Sequence, residues 1–199
     1  MAKLFFRYGA MNSGKTALLL QAAHNYEEQD MKVIIMKPNI DTKGEKKIVS
    51  RIGLSREVEE LLDEKTNIYK LVEQKYRHIN CIFIDEAQFL KRQQVDELLK
   101  IVIDFNIPVI CYGLRSDFLT NGFEGSIRLL EIAHKIEEMK TICKCGKKAM
   151  FNFRKIDGKV VFDGNKIEID NQKNVSYEAV CPNCYYKYKN SCKTPEKSI

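Results

Sequence analysis

One stretch, Gly9-Ala10-Met11-Asn12-Ser13-Gly14-Lys15-Thr16, limits what this chain can fold into more than any other, because it satisfies G-x-x-x-x-G-K-[ST] at every fixed position. Its glycines let backbone N–H groups converge on phosphate oxygens. Lys15 is spaced to reach the β- and γ-phosphates, and the Thr16 hydroxyl is placed to ligate Mg²⁺ at the positive end of a following helix. The context agrees. An apolar strand, Leu4 to Tyr8, precedes the loop, and TALLLQAAHNYEE after it carries apolar residues at helical spacing. Strand, glycine loop and helix open a parallel α/β sheet.

The alternation continues. KVIIMK (32–37) reads as a second strand stopped by Pro38, and residues 39–55, polar and poorly periodic, read as a mobile surface loop. Helical spacing is expected at 56–62 and 68–76. CIFI (81–84) is continuously apolar, which suits a strand covered on both faces, and it ends at two adjacent carboxylates, Asp85 and Glu86. A helix over 92–105, a strand over 109–112, a loop over 113–125 and a helix over 126–133 complete the pattern. The fold class is therefore α/β: a P-loop NTPase-like, mostly parallel sheet flanked by helices, expected over residues 1–140.

From residue 141 the texture changes to short strand-like pieces, AMFNFRKI, KVVF and SYEAV, broken by Gly, Asn and Asp. So small a β-rich module, expected over 141–192 before a tail at 193–199, cannot rest on a hydrophobic core alone. It contains Cys143-x-Cys145 and Cys181-x-x-Cys184, two thiolate pairs near Gly or Pro turns, the arrangement of a zinc ribbon. Four thiolates leave no open coordination position, so this zinc is expected to be structural. The other cysteines are Cys81 and Cys111, in apolar runs, and Cys192. An odd count of seven, with two in core strands, argues for a reducing cytoplasm over a secreted disulfide framework. No apolar stretch reaches the length of a membrane helix, and MAKLFFRYGA lacks the features of a secretory leader.

The net charge of +6 is unevenly spread: Lys and Arg number 20 against 21 Asp and Glu in residues 1–139, and 13 against 6 from residue 140 onward. Basic residues around the first cysteine pair, with Tyr185, Tyr186 and Tyr188 further on, invite a nucleic-acid reading. Four thiolates with one Zn²⁺ carry about −2, which offsets part of that charge. A solvated face that steers anionic nucleotides is the better reading. His24, His78 and His134 are read as lying in helical segments, as surface or helix residues without an acid partner at motif spacing.

Asp85, closing its strand, is the expected second contact to Mg²⁺, and Glu86 the carboxylate placed to accept a proton from whatever attacks the γ-phosphate. A substrate hydroxyl there makes a kinase; water makes an ATPase. A nucleic-acid-dependent ATPase, suggested by DEAQ after a strand and by a basic ribbon, generally needs a second ATPase lobe or a trans-acting arginine, and this chain has room for one lobe only. A ribbon binding module with a degenerate P-loop fails on the intact motif.

RYGAMNSGKTALLL, FIDEAQF, CYGLRSDFLTNGF, TICKCGKKA and SYEAVCPNC, in that order, closely resemble the zinc-containing P-loop thymidine kinases of the second class. The resemblance implies a kinase that passes the γ-phosphate of MgATP to the 5′-hydroxyl of thymidine, and also of deoxyuridine. Gly9, Ala10, Met11, Asn12, Ser13, Gly14, Lys15 and Thr16 would then hold ATP with Mg²⁺, assisted by Asp85 and Gln88. Glu86 would be the general base, and Arg51 would lie near the reacting groups. Met11, Phe89, Leu114, Phe118, Phe123 and Tyr177 would surround the nucleoside, with backbone groups of 169–175 on the thymine edge. This loop, IDNQKNV, departs from the short Gly-Gly turn of many relatives. Zn²⁺ on Cys143, Cys145, Cys181 and Cys184 would pin a lasso that closes over the nucleoside. A cytoplasmic homotetramer, feedback inhibition by thymidine triphosphate, and no membrane or nucleic-acid partner are further implications.

Overall fold

The computed structural model describes residues 1–39, 46–162 and 175–191. The backbone divides into two compact units. The first comprises 1–9, 14–115 and 122–139; the second comprises 10–13, 116–121 and the chain from 140 onward.

In the first unit, β1 (Leu4–Tyr8) leads through the glycine loop to α1 (Lys15–Glu27) and β2 (Val33–Pro38). Then come β3 (Lys47–Val49), β4 (Ser55–Glu57), β5 (Glu60–Leu62), α2 (Ile68–Lys75) and β6 (Cys81–Ile84). A 3-10 turn (Ala87–Phe89), α3 (Arg92–Phe105), β7 (Val109–Gly113), α4 (Glu124–Ile132) and β8 (Lys135–Glu138) complete it. Six strands pair in the order β5-β2-β6-β7-β1-β8, every pairing parallel.

The continuous apolar runs have a simple cause: successive residues serve opposite faces. Ile82 and Ile84 of β6 join Leu4, Phe6, Ile34 and Met36 against α2, α3 and α4. Cys81 and Phe83 join Val33, Ile35, Ile110 and Tyr112 against Leu19 and Ala23 of α1. Helix ends are set locally. Asn67 accepts from the Lys70 N–H to start α2, the Gln94 side chain accepts from the Lys91 N–H to start α3, and Asn106, at φ 55, ends α3.

Three expectations change. Residues 56–62 are not a helix, because Val58 and Leu62 meet its i, i+4 spacing while being buried in different cores. Pairing of β5 to β2 and acceptance of the Ile35 N–H by Glu59 (2.6 Å) override the local pattern. Residues 39–55 are not simply a loop: β3 within them pairs antiparallel with β4, which runs on to Glu57, and Ile48 is buried; residues 40–45 lie outside the described residues. Of the three histidines only His24 is helical; His134 follows α4 and accepts from the Leu4 N–H through Nδ1 (3.1 Å).

In the second unit, β9 (Thr141–Ile142) pairs with β10 (Lys148–Ala149), and β11 (Phe151–Ile156) is flanked by β12 (Lys159–Val161) and β13 (Val175–Val180), all antiparallel. An unforeseen helix, α5 (Pro182–Ser191), follows. Its Tyr185, fully buried and stacked on Phe153 with ring centroids 5.8 Å apart, is a core residue and not a nucleic-acid platform. Among the described residues no helix is long and apolar enough to cross a membrane.

Candidate active site and metal centre

The glycine loop begins where β1 ends: the Gly9 N–H donates to Gly113 O (3.2 Å), tying it to β7. Asn12 (φ 63) and Gly14 (φ 76) adopt left-handed backbone, which turns the chain sharply into α1. The α1 N-terminus has no side-chain cap and no acidic residue in its first turn. Its donors and positive dipole end therefore suit an anion. In the second unit, the Met11 N–H donates to Oδ1 of Asn152 (2.8 Å), and the Thr141 hydroxyl donates to Asn12 O (3.3 Å).

Lys15 is buried, and desolvation lowers its pKa despite the opposing charges of Glu86 and Asp85. Arg51, exposed in the turn between β3 and β4, is close enough for its charge to lower it further. Across the sheet, Asp85 is pushed up to about 7, first by burial and then by the charge of Glu86. Its Oδ2 accepts the Thr16 hydroxyl (3.1 Å) and its Oδ1 the Glu86 N–H (3.0 Å). Thr16 and Asp85 thus present hard oxygen ligands together, a donor set that suits Mg²⁺.

Glu86 has left-handed backbone (φ 51), which for a non-glycine residue costs on the order of 1 kcal/mol. It caps the 3-10 turn, from which Gln88 returns its Nε2 to Glu86 Oε2 at 2.5 Å. Gln88 Oε1 accepts the Leu114 N–H (3.0 Å), and the Ser126 hydroxyl donates to Leu114 O (2.5 Å). Phe89 and Phe123, both half-buried, meet edge to face at 5.4 Å.

The other expected nucleoside residues are in the second unit. Phe118 is buried, its carbonyl accepting the Tyr185 hydroxyl (2.8 Å) and its ring lying 4.0 Å from the Arg154 guanidinium carbon. Tyr177 is half-buried on β13, in register with Arg154. Residues 169–174 of the expected thymine-edge loop and Cys192 lie outside the described residues. Sequence reasoning missed Asn152 and Ser126, which act through backbone groups and leave no local signal.

The four paired cysteines converge. Cys143 and Cys145 lie in the turn between β9 and β10, where Gly146 (φ 82) lets the Gly146 N–H return to Cys143 O (2.8 Å). Cys181 and Cys184 stand at the start of α5. All four sulfurs lie within 4.8 Å of one another, with Cys145 and Cys181 at 3.5 Å. Zn–S bonds of about 2.3 Å in a tetrahedron require sulfurs about 3.8 Å apart, so the cluster fits one zinc. Burial disfavours the Cys143 thiolate, yet N–H groups of Cys145 and Cys181 and the neighbouring thiols hold its pKa at about 7. Cys184 is pushed up to about 12 by the thiols of Cys145, Cys181 and Cys143 around it. Such a crowded set favours a divalent cation that takes all four as thiolates.

The thymidine kinase family model matches residues 2–185. The chain belongs to the thymidine kinase family. A thymidine kinase of Lactiplantibacillus plantarum is 50% identical over 188 residues, spanning 94% of this chain and 96% of that protein. One from Enterobacteria phage T4 is 48% identical over 180 residues, 88% of this chain and 93% of the phage protein. One from Francisella tularensis is 44% identical over 188 residues, with 91% and 95% covered. The replication initiator DnaA bound to AMPPCP and single-stranded DNA aligns with a TM-score of 0.42 at 16% identity, over 70% of this chain and 40% of that one. So slight a likeness adds nothing to the family assignment.

Proposed function

We propose that this chain transfers the γ-phosphoryl group of ATP, bound with Mg²⁺, to the 5′-hydroxyl of thymidine, giving thymidine monophosphate and ADP, and that it also accepts deoxyuridine. Thymidine as acceptor follows from family membership. The observation that carries the mechanism is the Thr16–Asp85 hydrogen bond with Glu86 directly beside it, facing buried Lys15.

Residues Gly9 to Thr16 bind the triphosphate through backbone N–H groups and Lys15. Thr16 and Asp85 would hold Mg²⁺, which would supply charge neutralisation to the bound triphosphate. Glu86 takes the proton from the 5′-hydroxyl as that oxygen bonds to the γ-phosphorus. The bond from the γ-phosphorus to the bridging oxygen breaks, and ADP leaves with the electron pair. Lys15 and Arg51 balance the charge that builds on the transferred group. Phe89, Leu114 and Phe123 are the proposed nucleoside contacts of the first unit; for Met11, Phe118 and Tyr177 family resemblance alone supports that role.

Structural Zn²⁺ on Cys143, Cys145, Cys181 and Cys184 completes the second unit, whose core is small. A cytoplasmic homotetramer inhibited by thymidine triphosphate is the assembly and regulation that family resemblance supports. Phosphate transfer from labelled ATP with Mg²⁺ to thymidine, deoxyuridine, deoxycytidine and adenosine, beside a single-stranded DNA control, tests the reading. Thymidine monophosphate and deoxyuridine monophosphate are the expected products. Inorganic phosphate alone, released faster with DNA, would replace the kinase with an ATPase.

A further inference from the structure

We propose that Gln88 is a positioning residue that fixes the carboxylate of Glu86 for proton transfer; the inference rests on Glu86 being the general base. The sequence reading gave Gln88 to the MgATP group. Its side chain, 1% exposed, bridges Glu86 and the backbone of Leu114.

The amide can sit only one way round. The Leu114 backbone offers an N–H, so Oε1 must face it, and Nε2 is left to donate to Glu86 Oε2. The anchor is itself held, because the Leu114 carbonyl accepts from Ser126, which is fully buried on α4. The bridge also explains a glycine. A Cβ on Gly113 would lie 2.7 Å from Gln88 Oε1 and 3.1 Å from the Gln88 backbone nitrogen, so only glycine lets the end of β7 pass this close.

Glu86 needs such a tether. Its backbone is fixed in the left-handed region at the start of the turn, but the carboxylate still turns about several side-chain bonds. A donor on Oε2 removes that freedom and leaves Oε1 to receive the proton. A base held within a fraction of an ångström of its productive geometry acts far faster than one that samples many orientations. The effect of Gln88 is therefore on the chemical step and runs wholly through Glu86.

Steady-state kinetics with thymidine and MgATP for wild type, Gln88→Met, Glu86→Gln and the double variant test this. Gln88→Met keeps length and removes both polar contacts. It is expected to lower kcat roughly tenfold to a hundredfold, with KM for thymidine within about threefold of wild type. In the Glu86→Gln background the same change is expected to alter kcat by less than about twofold, since the group it positions is gone. A wild-type kcat in Gln88→Met, a loss expressed in KM, or a full multiplicative loss in the double variant would each overturn the role. Should Gln88→Met fail to fold, Gly113→Ala, which presses on the amide oxygen, carries the same test against Glu86→Gln. If Glu86→Gln keeps wild-type kcat, the general-base reading fails. If it collapses while Gln88→Met does not, only the positioning role fails.

Discussion

The Thr16 hydroxyl donates to Oδ2 of Asp85 at 3.1 Å, joining the first turn of α1 to the end of β6 across 69 residues of sequence. This contact turns two separate sequence signals into one oxygen-rich site beside Lys15.

It also predicts a pH dependence for the metal-free protein. Burial, then the charge of Glu86, raises Asp85 to about 7, against about 3.9 for an unfolded aspartate. Between those values the native chain holds a proton that the unfolded chain has released, so this group's contribution to stability falls as pH rises from about 4 to about 7 and is flat above. Urea unfolding across that range is expected to show a downward slope with rising pH that Asp85→Asn removes. Its full size is of the order of a few kcal/mol. Mg²⁺ with ATP, which favours the carboxylate, should flatten the slope in wild type; an identical slope in Asp85→Asn would refute the assignment.

Glu86→Gln keeps the shape of the side chain and removes its proton acceptor. Thymidine monophosphate formation should fall by roughly 10²–10⁴ in kcat while ATP binding, followed by a fluorescent analogue, stays near wild type. Loss of ATP binding to the same extent would mean that Glu86 serves the phosphate site instead.

Elemental analysis should find one zinc per chain, and Cys181→Ala should abolish it. Because the second unit's core is a small cluster around Phe153 and Tyr185, loss of the metal is expected to unfold that unit. Its signature would be earlier proteolysis after residue 140 and lost thymidine binding, with much of the α/β unit's helical circular dichroism kept. Normal thymidine affinity without zinc would show that the metal is dispensable.

Gly125 supports the turn that carries Glu86 and Gln88. A Cβ there would stand 2.5 Å from Ala87 O, 2.8 Å from Leu90 O and 3.1 Å from Gln88 O, all backbone atoms that cannot swing aside. Gly125→Ala should cost about 1–3 kcal/mol in denaturant unfolding and lower activity as well. A variant as stable as wild type would show that the turn yields more easily than this packing implies.

The chemistry legible in the sequence is the chemistry carried by contiguous residues. The glycine loop, the Asp85-Glu86 pair at the end of a doubly covered strand, and two close cysteine pairs each declare themselves locally, because phosphate binding at a helix start and thiolate ligation from a turn need particular residues at fixed short spacing. The parallel α/β alternation follows from runs whose two faces are both apolar.

Tertiary structure decided what depends on partners distant in sequence. Pairing with β2 made 60–62 a strand where spacing alone reads as a helix. Packing on Phe153 made Tyr185 a core residue of α5. The Gln88 amide found Glu86 two residues away only because left-handed backbone and a 3-10 turn bring them together, and found Leu114 through a neighbouring strand. Asn152 holds the Met11 N–H across 141 residues. A backbone N–H or carbonyl is the same at every non-proline position, so a side chain that recognises one leaves no mark on the sequence of its partner.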